Sequence, residues 1–540
     1  MKLDEEYGLD RRIGFETDDE ENQAERAYQN DDNDDTDSDI VLPSRNASID
    51  LNSPSWPQTY RKSMDMYTSV TPPPSLSFLT GTSFKKISDS FLTSPYKRSH
   101  PTLPDSSFNK PLITATSLDN EEVPPSTLPS KLSTSSYSSL SFNELPSPQQ
   151  CSYAQSVLNA INVLCGIGLL TTPYALKEGG WSSLLLLFVM GIICCYTGIL
   201  LKQCLDSSPE LKTYPDIGQA AFGVTGRILI AIILYMDLYS TCVEFLIMMS
   251  DNLSALFPDT HMDFAGFHLD SHQIFAITAT LIIIPTVWLQ DLSLLSYVSA
   301  GGIVTSVLLV LCLLWSGVID KIGFHPSGTA LNLAGLPVTV GLFGFCFGSH
   351  SVFPNIYSSM KQPSKFPSVL IISFVASVLI YAGVAICGFL MFGDSTESQY
   401  TLNMPKKFVA SKIAAWTTVL CPFTKYALTI TPVAFSIEEL LPLAQQRSYS
   451  VSIIIRTVLV ISTLVVALSV PYFESVTALI GSLLVMLVSI ILPAACYLTI
   501  LHGRLSKMQV AVCIFIVIAG VLCAIVGTYS AIASIADKMG

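Results

Sequence analysis

Long apolar runs make up most of the chain from Cys151 to its end, and polar residues fill the part before them. Each run is about 20 residues or longer, the length at which an α-helix crosses a hydrocarbon core of about 30 Å. Backbone groups in lipid must bond within their own segment, and the runs lack the alternation of barrel strands, so helices are predicted. The eleven predicted transmembrane helices, numbered below as spans 1 to 11, are 152–177, 181–205, 224–257, 272–289, 292–319, 336–360, 366–392, 410–440, 450–470, 473–501 and 507–535.

Residues 1–150 have the opposite character, because they are rich in Ser, Pro, Thr and Asp. Such a segment cannot bury enough apolar surface to offset the entropy lost on ordering, so a disordered acidic tail is predicted. Ser94 and Ser147 each precede a proline and are candidate sites for kinases, with a solvated tether without a specific role as the alternative. The chain is thus divided into a tail, 1–150, and a transmembrane domain, 151–540.

Composition supports a membrane protein, since 50% of the residues are apolar and only 13% are charged. Soluble globular proteins usually have about 25% charged residues. The net charge of -13 comes mostly from the tail, where 24 acidic residues face 13 basic ones. Nothing resembles a basic nucleic-acid footprint. All thirteen cysteines lie from Cys151 onward, mostly inside apolar runs, which indicates small buried side chains rather than disulfides.

The orientation follows from the tail more than from the loops. The predicted spans place nine Lys and Arg residues on the N-terminal side and six on the other, which is a weak bias. The long polar tail begins without an apolar signal segment, so its transfer across a membrane is not expected. The N-terminus is therefore predicted to be cytosolic, and an odd number of spans places the C-terminus in the lumen.

Two spans contain glycines at their centres, each group followed by a proline. Span 1 has Gly166 and Gly168 before Pro173, and span 6 has glycines within 344–348 before Pro354. Glycine costs a helix interior about 1 kcal/mol and proline about 3 kcal/mol. Unwound centres are predicted, which membranes tolerate only where the freed backbone groups line a cavity. Tight packing of small residues is the alternative for either span taken alone.

An unwound centre matches both ends of a zwitterion. The half-helix after the break presents a positive dipole end to a carboxylate, and freed carbonyls suit an ammonium group or a cation. Because the two interrupted spans come first and sixth, with five spans in each half, the pattern predicts a 5+5 inverted repeat with span 11 added.

The same motifs carry a family resemblance. Its residues are Asn162, 166–170, 173–175, 179–181, 213–218, 221–223 and 348–356. In these motifs the stretch from Ser152 to Ile535 resembles the amino acid/auxin permease family, within the group that shares the leucine-transporter fold. It is most similar to the vacuolar amino acid transporter branch of yeast and plants. The resemblance implies proton-coupled amino acid transport at the vacuolar membrane, commonly by exchange against lumenal protons.

The substrate site is predicted at the two interruptions. Its candidate residues are Asn162, Cys165, Gly166, Ile167, Gly168, Phe345, Phe347, Gly348 and His350. Neither broken segment contains a charged residue, which favours an amino acid with a neutral side chain. His350 opens the second half of span 6, and its imidazole is expected to line the site first and to carry protons second.

Ionisable residues inside spans are expensive, so each is a functional candidate. Asp237, Thr241 and Glu244 share one face of span 3, because steps of four and three residues keep to one side of a helix. The two carboxylates are predicted to relay protons, with a polar stripe satisfied by neighbouring helices as the alternative. Lys425 in span 8 is predicted to take part by pairing with one of them or by moving with the proton.

No enzyme signature is present, and neither a cofactor nor a metal is expected. The sequence has no Walker motif, no zinc-ligand spacing and no nucleophile elbow. The leading interpretation is a secondary transporter whose partners are an amino acid, protons and the lipid bilayer. The alternatives are an amino-acid sensor that signals through its tail and a plasma-membrane proton/amino acid symporter. A channel is disfavoured, because no pore segment is repeated.

Overall fold

The computed structural model describes residues 56–68, 151–264, 267–289, 302–325, 327–442 and 448–540. Within these ranges the regular structure is almost entirely helical, which confirms the predicted all-α membrane class. One short antiparallel ribbon, β1 (Met262–Phe264) with β2 (Phe267–Leu269), is the exception. The helices are α1 (Tyr60–Thr68), α2 (Tyr153–Leu164), α3 (Gly168–Gly179), α4 (Ser183–Leu205), α5 (Tyr214–Leu256), α6 (Ser271–Trp288), α7 (Gly302–Val318), α8 (Leu336–Phe345), α9 (Phe353–Ser359), α10 (Phe366–Phe392), α11 (Tyr400–Asn403), α12 (Val409–Glu439), α13 (Tyr449–Ser469), α14 (Phe473–Ile500) and α15 (Lys507–Met539).

Each predicted span overlaps a helix or a pair of helices in the described ranges. Seven of these helices are long and apolar enough to cross a membrane, and the bent pair α2–α3 raises the number to eight. Two shorter apolar helices, α7 and α8, fall in predicted spans 5 and 6. The count of eleven therefore stays a prediction. Residues 290–301, which include the predicted joint between spans 4 and 5, lie outside the described residues.

Several helices begin where a side chain caps the first turn. Ser152 Oγ accepts a bond from the amide of Gln155 at 3.4 Å, and Gln155 Oε1 accepts one from the amide of Ser152 at 2.7 Å. The same reciprocal pair opens α5, α6 and α15. Each box satisfies two amides that a helix N-terminus leaves unpaired. Inside α5, Gly223 has φ +70° and separates a short first segment from the membrane part.

Both predicted interruptions are present. In span 1, α2 ends at Leu164 and α3 begins at Gly168, with an angle of 51° between them. In span 6, α8 ends at Phe345 and α9 begins only at Phe353. The predicted broken spans 1 and 6 are thereby confirmed as features of the fold.

Span 6 lies directly against span 10, backbone to backbone. A Cβ placed on Gly341 would lie 2.4 Å from the carbonyl oxygen of Ala478, and one on Gly481 would lie 1.9 Å from that of Gly341. Gly481 also opens a π-helical stretch of α14 that ends at Ile491. Glycine is therefore required here for close approach of two helices, which is how helices in membranes commonly pack.

Residues 56–68 differ from the prediction for the tail. They form α1 and the turn before it, and Tyr60 and Met64 are buried against the bundle. Disorder is thus not what the structure shows for this short segment. The remainder of 1–150, with Ser94 and Ser147, lies outside the described residues, so its disorder and its candidate kinase sites stay predictions.

Candidate functional site

A cavity of about 150 Å³ lies beside both interruptions. One water needs about 10 to 15 Å³ by this measure, so the cavity has room for about ten non-hydrogen atoms. Its wall comes from α2, α3, α5, α7, α12, α14 and the break of span 6. The polar side chains among its lining residues are Asn162, Asp237, Thr241, Thr305, Ser306, Ser349, Ser351, Thr418 and Lys425.

The break in span 1 is supported from behind by side chains of other helices. The hydroxyl of Tyr381 in α10 donates to the carbonyl oxygen of Leu164. Ser306 Oγ in α7 donates to the carbonyl oxygen of Cys165 at 2.8 Å. These carbonyls have lost their helical partners, and a buried carbonyl without a partner is costly. Gly166, in contrast, faces open space, since a Cβ there would meet only the Val163 oxygen at 4.0 Å.

The two breaks touch each other. A Cβ on Gly168 would lie 2.9 Å from Cys346 Sγ and 3.1 Å from Cys346 Cα, and the thiol of Cys346 donates to the carbonyl oxygen of Gly168 at 3.5 Å. The Tyr381 hydroxyl also lies 3.1 Å from the carbonyl oxygen of Cys346. A single buried side chain thus contacts the interrupted backbone of both spans.

The acidic face of α5 reaches the cavity at one end only. Asp237 and Thr241 line the cavity, whereas Glu244 lies behind its wall with no exposed surface. Thr241 Oγ1 donates to the backbone oxygen of Asp237 at 2.9 Å, so this hydroxyl is used within its own helix. Neither carboxylate oxygen of Glu244 has a hydrogen-bond partner among the described residues. An ionised carboxylate is poorly accommodated there, because buried charges require partners.

Lys425 lies in the same wall as Asp237, but the predicted ion pair is not formed. The ion pairs of the described residues include none between Lys425 and a carboxylate of α5. A Cβ on Gly302 would lie 3.2 Å from Lys425 Nζ and 2.2 Å from Asn162 Oδ1, so the ammonium group and this amide oxygen are near neighbours. Asn162 Oδ1 is buried and unpaired in the described structure. The cavity therefore contains one carboxylate and one ammonium group that do not neutralise each other.

A family model described as transmembrane amino acid transporter protein matches residues 149–533. The chain belongs to this family. It is therefore an amino acid transporter and not an enzyme, and the resemblance inferred from the motifs is confirmed. Membership assigns the transport of amino acids to the membrane domain and leaves the role of each cavity residue open.

Relatives of this family match far beyond the membrane domain. The amino acid transporters AVT1D and AVT1E of Arabidopsis thaliana are 54% and 53% identical to this chain, and both alignments cover 100% of each partner. The Arabidopsis thaliana amino acid transporter ANT1 is 27% identical over 73% of this chain and 95% of its own length. The similarity to AVT1D and AVT1E therefore includes the polar tail.

Solved structures of transporters also align with the membrane domain. MhsT in complex with L-phenylalanine aligns over 72% of this chain and 100% of its own, with a TM-score of 0.46 and 13% identity. A Na⁺-coupled sialic acid symporter aligns over 70% of this chain and 89% of its own, with a TM-score of 0.44 and 12% identity.

The predicted site residues separate into two groups. Nine line the cavity: Asn162, Cys165, Gly166, Ile167, Gly168, Asp237, Phe345, Gly348 and Lys425. Phe347, His350 and Glu244 are fully buried and do not line it. His350 Nε2 lies 3.0 Å from Thr197 Oγ1 and 3.0 Å from the carbonyl oxygen of Cys194, so its ring faces span 2. Phe347 stacks on Phe374 with ring centroids 6.0 Å apart. Their assignment as site residues stays a prediction.

Sequence reasoning missed the contribution of α7 and the support from α10. Thr305, Ser306 and Leu309 line the cavity at steps of one to four residues on one side of α7. Nothing in the sequence distinguishes Tyr381 from the other aromatic residues of the apolar spans. A hydroxyl-bearing residue in such a span signals a buried hydrogen bond, but its partner is 217 residues away in the sequence.

Proposed function

We propose that this protein is a secondary active transporter that moves neutral amino acids across the vacuolar membrane in exchange for protons. The observation that carries this proposal is the contact of the two interruptions at Gly168 and Cys346 beside a cavity of about 150 Å³. Interrupted helices beside a cavity of this size suit the zwitterionic part that all amino acids share. Selection of a neutral side chain is favoured by the apolar lining residues Phe245, Met248 and Phe345.

Proton coupling is proposed for the acidic face of α5. Glu244 lies in a site where its neutral, protonated form is accommodated and its charged form is not. Asp237 lies on the same face and lines the cavity, where a proton can pass to or from it as substrate binds. Lys425 lines the same cavity, and it is proposed to take part in the coupling. Glu244, Asp237 and Lys425 together are proposed to couple protonation of the α5 carboxylates to binding of the amino acid in the cavity.

Alternating access is the mechanism that the interruptions support. Each half of a broken span can tilt about its unwound segment without breaking a helical hydrogen-bond ladder. The cytosolic N-terminus, the lumenal C-terminus and the vacuolar location are proposed from the tail and from the family resemblance. A plasma-membrane symporter with the same site is the alternative, and the direction of the driving gradient separates the two.

The test uses the full-length protein in sealed liposomes with an imposed pH gradient and labelled neutral amino acids. Exchange predicts uptake into vesicles with an acidic interior, and loss of that uptake when a protonophore is added. Symport predicts uptake from an acidic exterior instead. Glu244→Gln should abolish the response to the gradient while amino acid counterflow across a zero gradient persists. Glu210→Gln, a change of an exposed loop carboxylate, is the matched control and should behave as wild type.

Two results would contradict the proposal. If the flux of the wild type did not depend on the pH gradient, proton coupling would be refuted. If Glu244→Gln responded to the gradient as the wild type does, a role of Glu244 in the coupling would be refuted.

A sensor that signals through its tail is the second candidate function, and the docking of residues 56–68 onto the bundle favours it. Deletion of 1–150 distinguishes the two, because a transporter should retain its flux.

A further inference from the structure

Residues 56–65 are held against the bundle by a set of specific contacts. Glu439, at the end of α12, accepts three bonds: from the amide of Gln58 at 2.7 Å, the amide of Thr59 at 3.1 Å and the hydroxyl of Thr59 at 2.8 Å. Trp56 Nε1 donates to the carbonyl oxygen of Ser436 at 3.0 Å. A carboxylate that receives backbone amides recognises an extended peptide, since these donors exist in any sequence.

Arg227 in α5 contacts the backbone of the same segment. Its guanidinium donates to the carbonyl oxygens of Trp56 and Pro57, both at 3.2 Å. The ring of Tyr235 lies between Trp56 and Tyr60, with centroid distances of 5.7 and 5.9 Å. The segment is therefore bound through its backbone donors, its backbone acceptors and two of its aromatic rings. Such a combination is typical of peptide recognition.

The segment reaches the wall of the cavity. The hydroxyl of Tyr60 donates to the carbonyl oxygen of Ser351 at 3.4 Å, and Ser351 lines the cavity. Asn355 in α9 donates to Asp65 at 2.8 Å. Burial raises the pKa of the Tyr60 hydroxyl well above its usual range, so this group remains a hydrogen-bond donor to the Ser351 oxygen.

The helix α1 presents a buried side to this groove and an exposed side to solvent. Tyr60, Ser63 and Met64 are at most 1% exposed, at steps of three and one that keep to one face. Arg61 is exposed on the other side, and Asp65 is exposed at the edge of the groove, where it accepts the bond from Asn355. A polar tail thus contains one short segment with the composition of a docking peptide.

We propose that Arg227, Tyr235, Ser351, Asn355, Ser436 and Glu439 form a peptide-binding groove at the mouth of the cavity, and that residues 56–65 of the same chain are its ligand. The bound segment closes the path between the cavity and the side of the membrane that carries the N-terminus. Passage of substrate on that side requires the segment to leave. The groove thereby gives the tail direct control over transport, and this consequence rests on the transport activity proposed above.

The first experiment measures docking without any transport. Cys421 lines the cavity, so its labelling by a membrane-impermeant maleimide added on the N-terminal side reports access, with mass spectrometry of the labelled peptide. Trypsin cleavage after Arg61 reports release of the segment. Glu439→Ala removes a charged acceptor of three bonds and should raise both rates at least about tenfold. Trp56→Ala removes the bond to the Ser436 oxygen together with the ring contact to Tyr235 and should raise both rates in the same direction. Trp56→Ala changes only the tail and leaves the folding of the bundle intact.

Arg61→Ala is the matched control. Arg61 lies on the exposed side, and its Nε is 3.9 Å from Asp65 Oδ2 within the segment itself. This variant should label Cys421 at the wild-type rate. Equal labelling of Cys421 in wild type, Glu439→Ala and Trp56→Ala would overturn the proposal, whether or not the protein transports amino acids.

The second experiment locks the segment in place. Asp65→Cys and Asn355→Cys in one full-length chain, bridged by a short bis-methanethiosulfonate, should reduce amino acid flux to background, and a reducing agent should restore it. Each single cysteine variant with the same reagent controls for the native thiols. Flux in the bridged chain equal to that of the single variants would refute the closure. If no chain transports amino acids, the proposed function fails and the labelling experiment alone decides on the groove.

Discussion

Tyr381 connects the two interrupted spans, so removal of its hydroxyl tests the geometry on which the site depends. Tyr381→Phe deletes the donor to the carbonyl oxygen of Leu164 and leaves the carbonyl oxygen of Cys346, 3.1 Å from the hydroxyl, without that contact. The residue is fully buried, so water cannot replace the bond without a rearrangement. The ring itself is retained, and its edge contact with Phe347 at 5.9 Å is expected to persist.

The expected magnitude follows from the single proton of the hydroxyl. One hydroxyl donates one full hydrogen bond at a time, and the Leu164 oxygen keeps its bond from the amide of Gly166 at 2.9 Å, so the loss is that of one hydrogen bond, about 0.5–1.5 kcal/mol. If that cost is borne mainly by the substrate-bound conformation, KM rises by about tenfold for each 1.4 kcal/mol. We therefore expect Tyr381→Phe to raise KM by up to about tenfold, with a smaller change in maximal rate.

The matched control is Tyr426→Phe. Tyr426 is also fully buried, and its hydroxyl lies 2.5 Å from Thr463 Oγ1, away from both interruptions. Thermal unfolding in detergent should show similar losses of stability for the two variants, whereas initial-rate measurements in liposomes should show a raised KM only for Tyr381→Phe. Equal KM values in both variants and the wild type would refute the role of Tyr381 in positioning the breaks.

Three further substitutions test separate parts of the fold. Gly166→Ala should leave thermal stability unchanged, because a Cβ has open space there, and should lower the affinity for the largest transported side chains in competition assays. Gly481→Ala should prevent stable folding, seen as aggregation in size-exclusion chromatography, because its Cβ would lie 1.9 Å from the Gly341 oxygen. Arg456→Met should cost about 1.5–3 kcal/mol in unfolding experiments, since Glu438 keeps its bond from Ser452 Oγ but loses the guanidinium 3.2 Å away.

The membrane spans and their interruptions could be predicted from the sequence because lipid imposes a strict rule. A spanning segment must satisfy its own backbone, so its length and apolar content define it. The described helix Phe366–Phe392 begins and ends where the pattern predicted it. The interruptions were visible for the same reason, since glycine and proline weaken helices in a known order. These are local properties, and they need no knowledge of neighbouring helices.

The direction of side chains in the interruptions could not be predicted, because an irregular backbone has no fixed period. Phe345 and Gly348 line the cavity, while Phe347 and His350, close by in the same segment, turn away from it. A helical wheel cannot assign these faces once the helix has ended at Phe345. The position of Lys425 could not be predicted for a related reason, since its ammonium group lies beside Gly302 and near Asn162 and forms no ion pair with α5 among the described residues.

The docked segment 56–68 was missed because composition was averaged over the whole tail. Trp56 is the only tryptophan of the first 150 residues, and Tyr60 and Met64 follow it at steps of four. That spacing is typical of one helical face, although α1 begins only at Tyr60 and Trp56 lies in the turn before it. The signal is short and surrounded by polar residues, so a disorder argument based on average composition overrides it. Nothing in the sequence identifies Glu439 and Arg227 as its partners.

The interrupted part of span 1 has one side that is hydrogen-bonded by other helices and another side that faces the cavity. An unwound backbone in a membrane is stable only if other residues satisfy its polar groups. On one side, Tyr381 and Ser306 do this for the carbonyls of Leu164 and Cys165. On the other side Gly166 lines the cavity, and a Cβ placed on it would have open space. A substrate can therefore bind to the irregular backbone without being needed to hold it in shape, so that the empty site persists while the transporter returns.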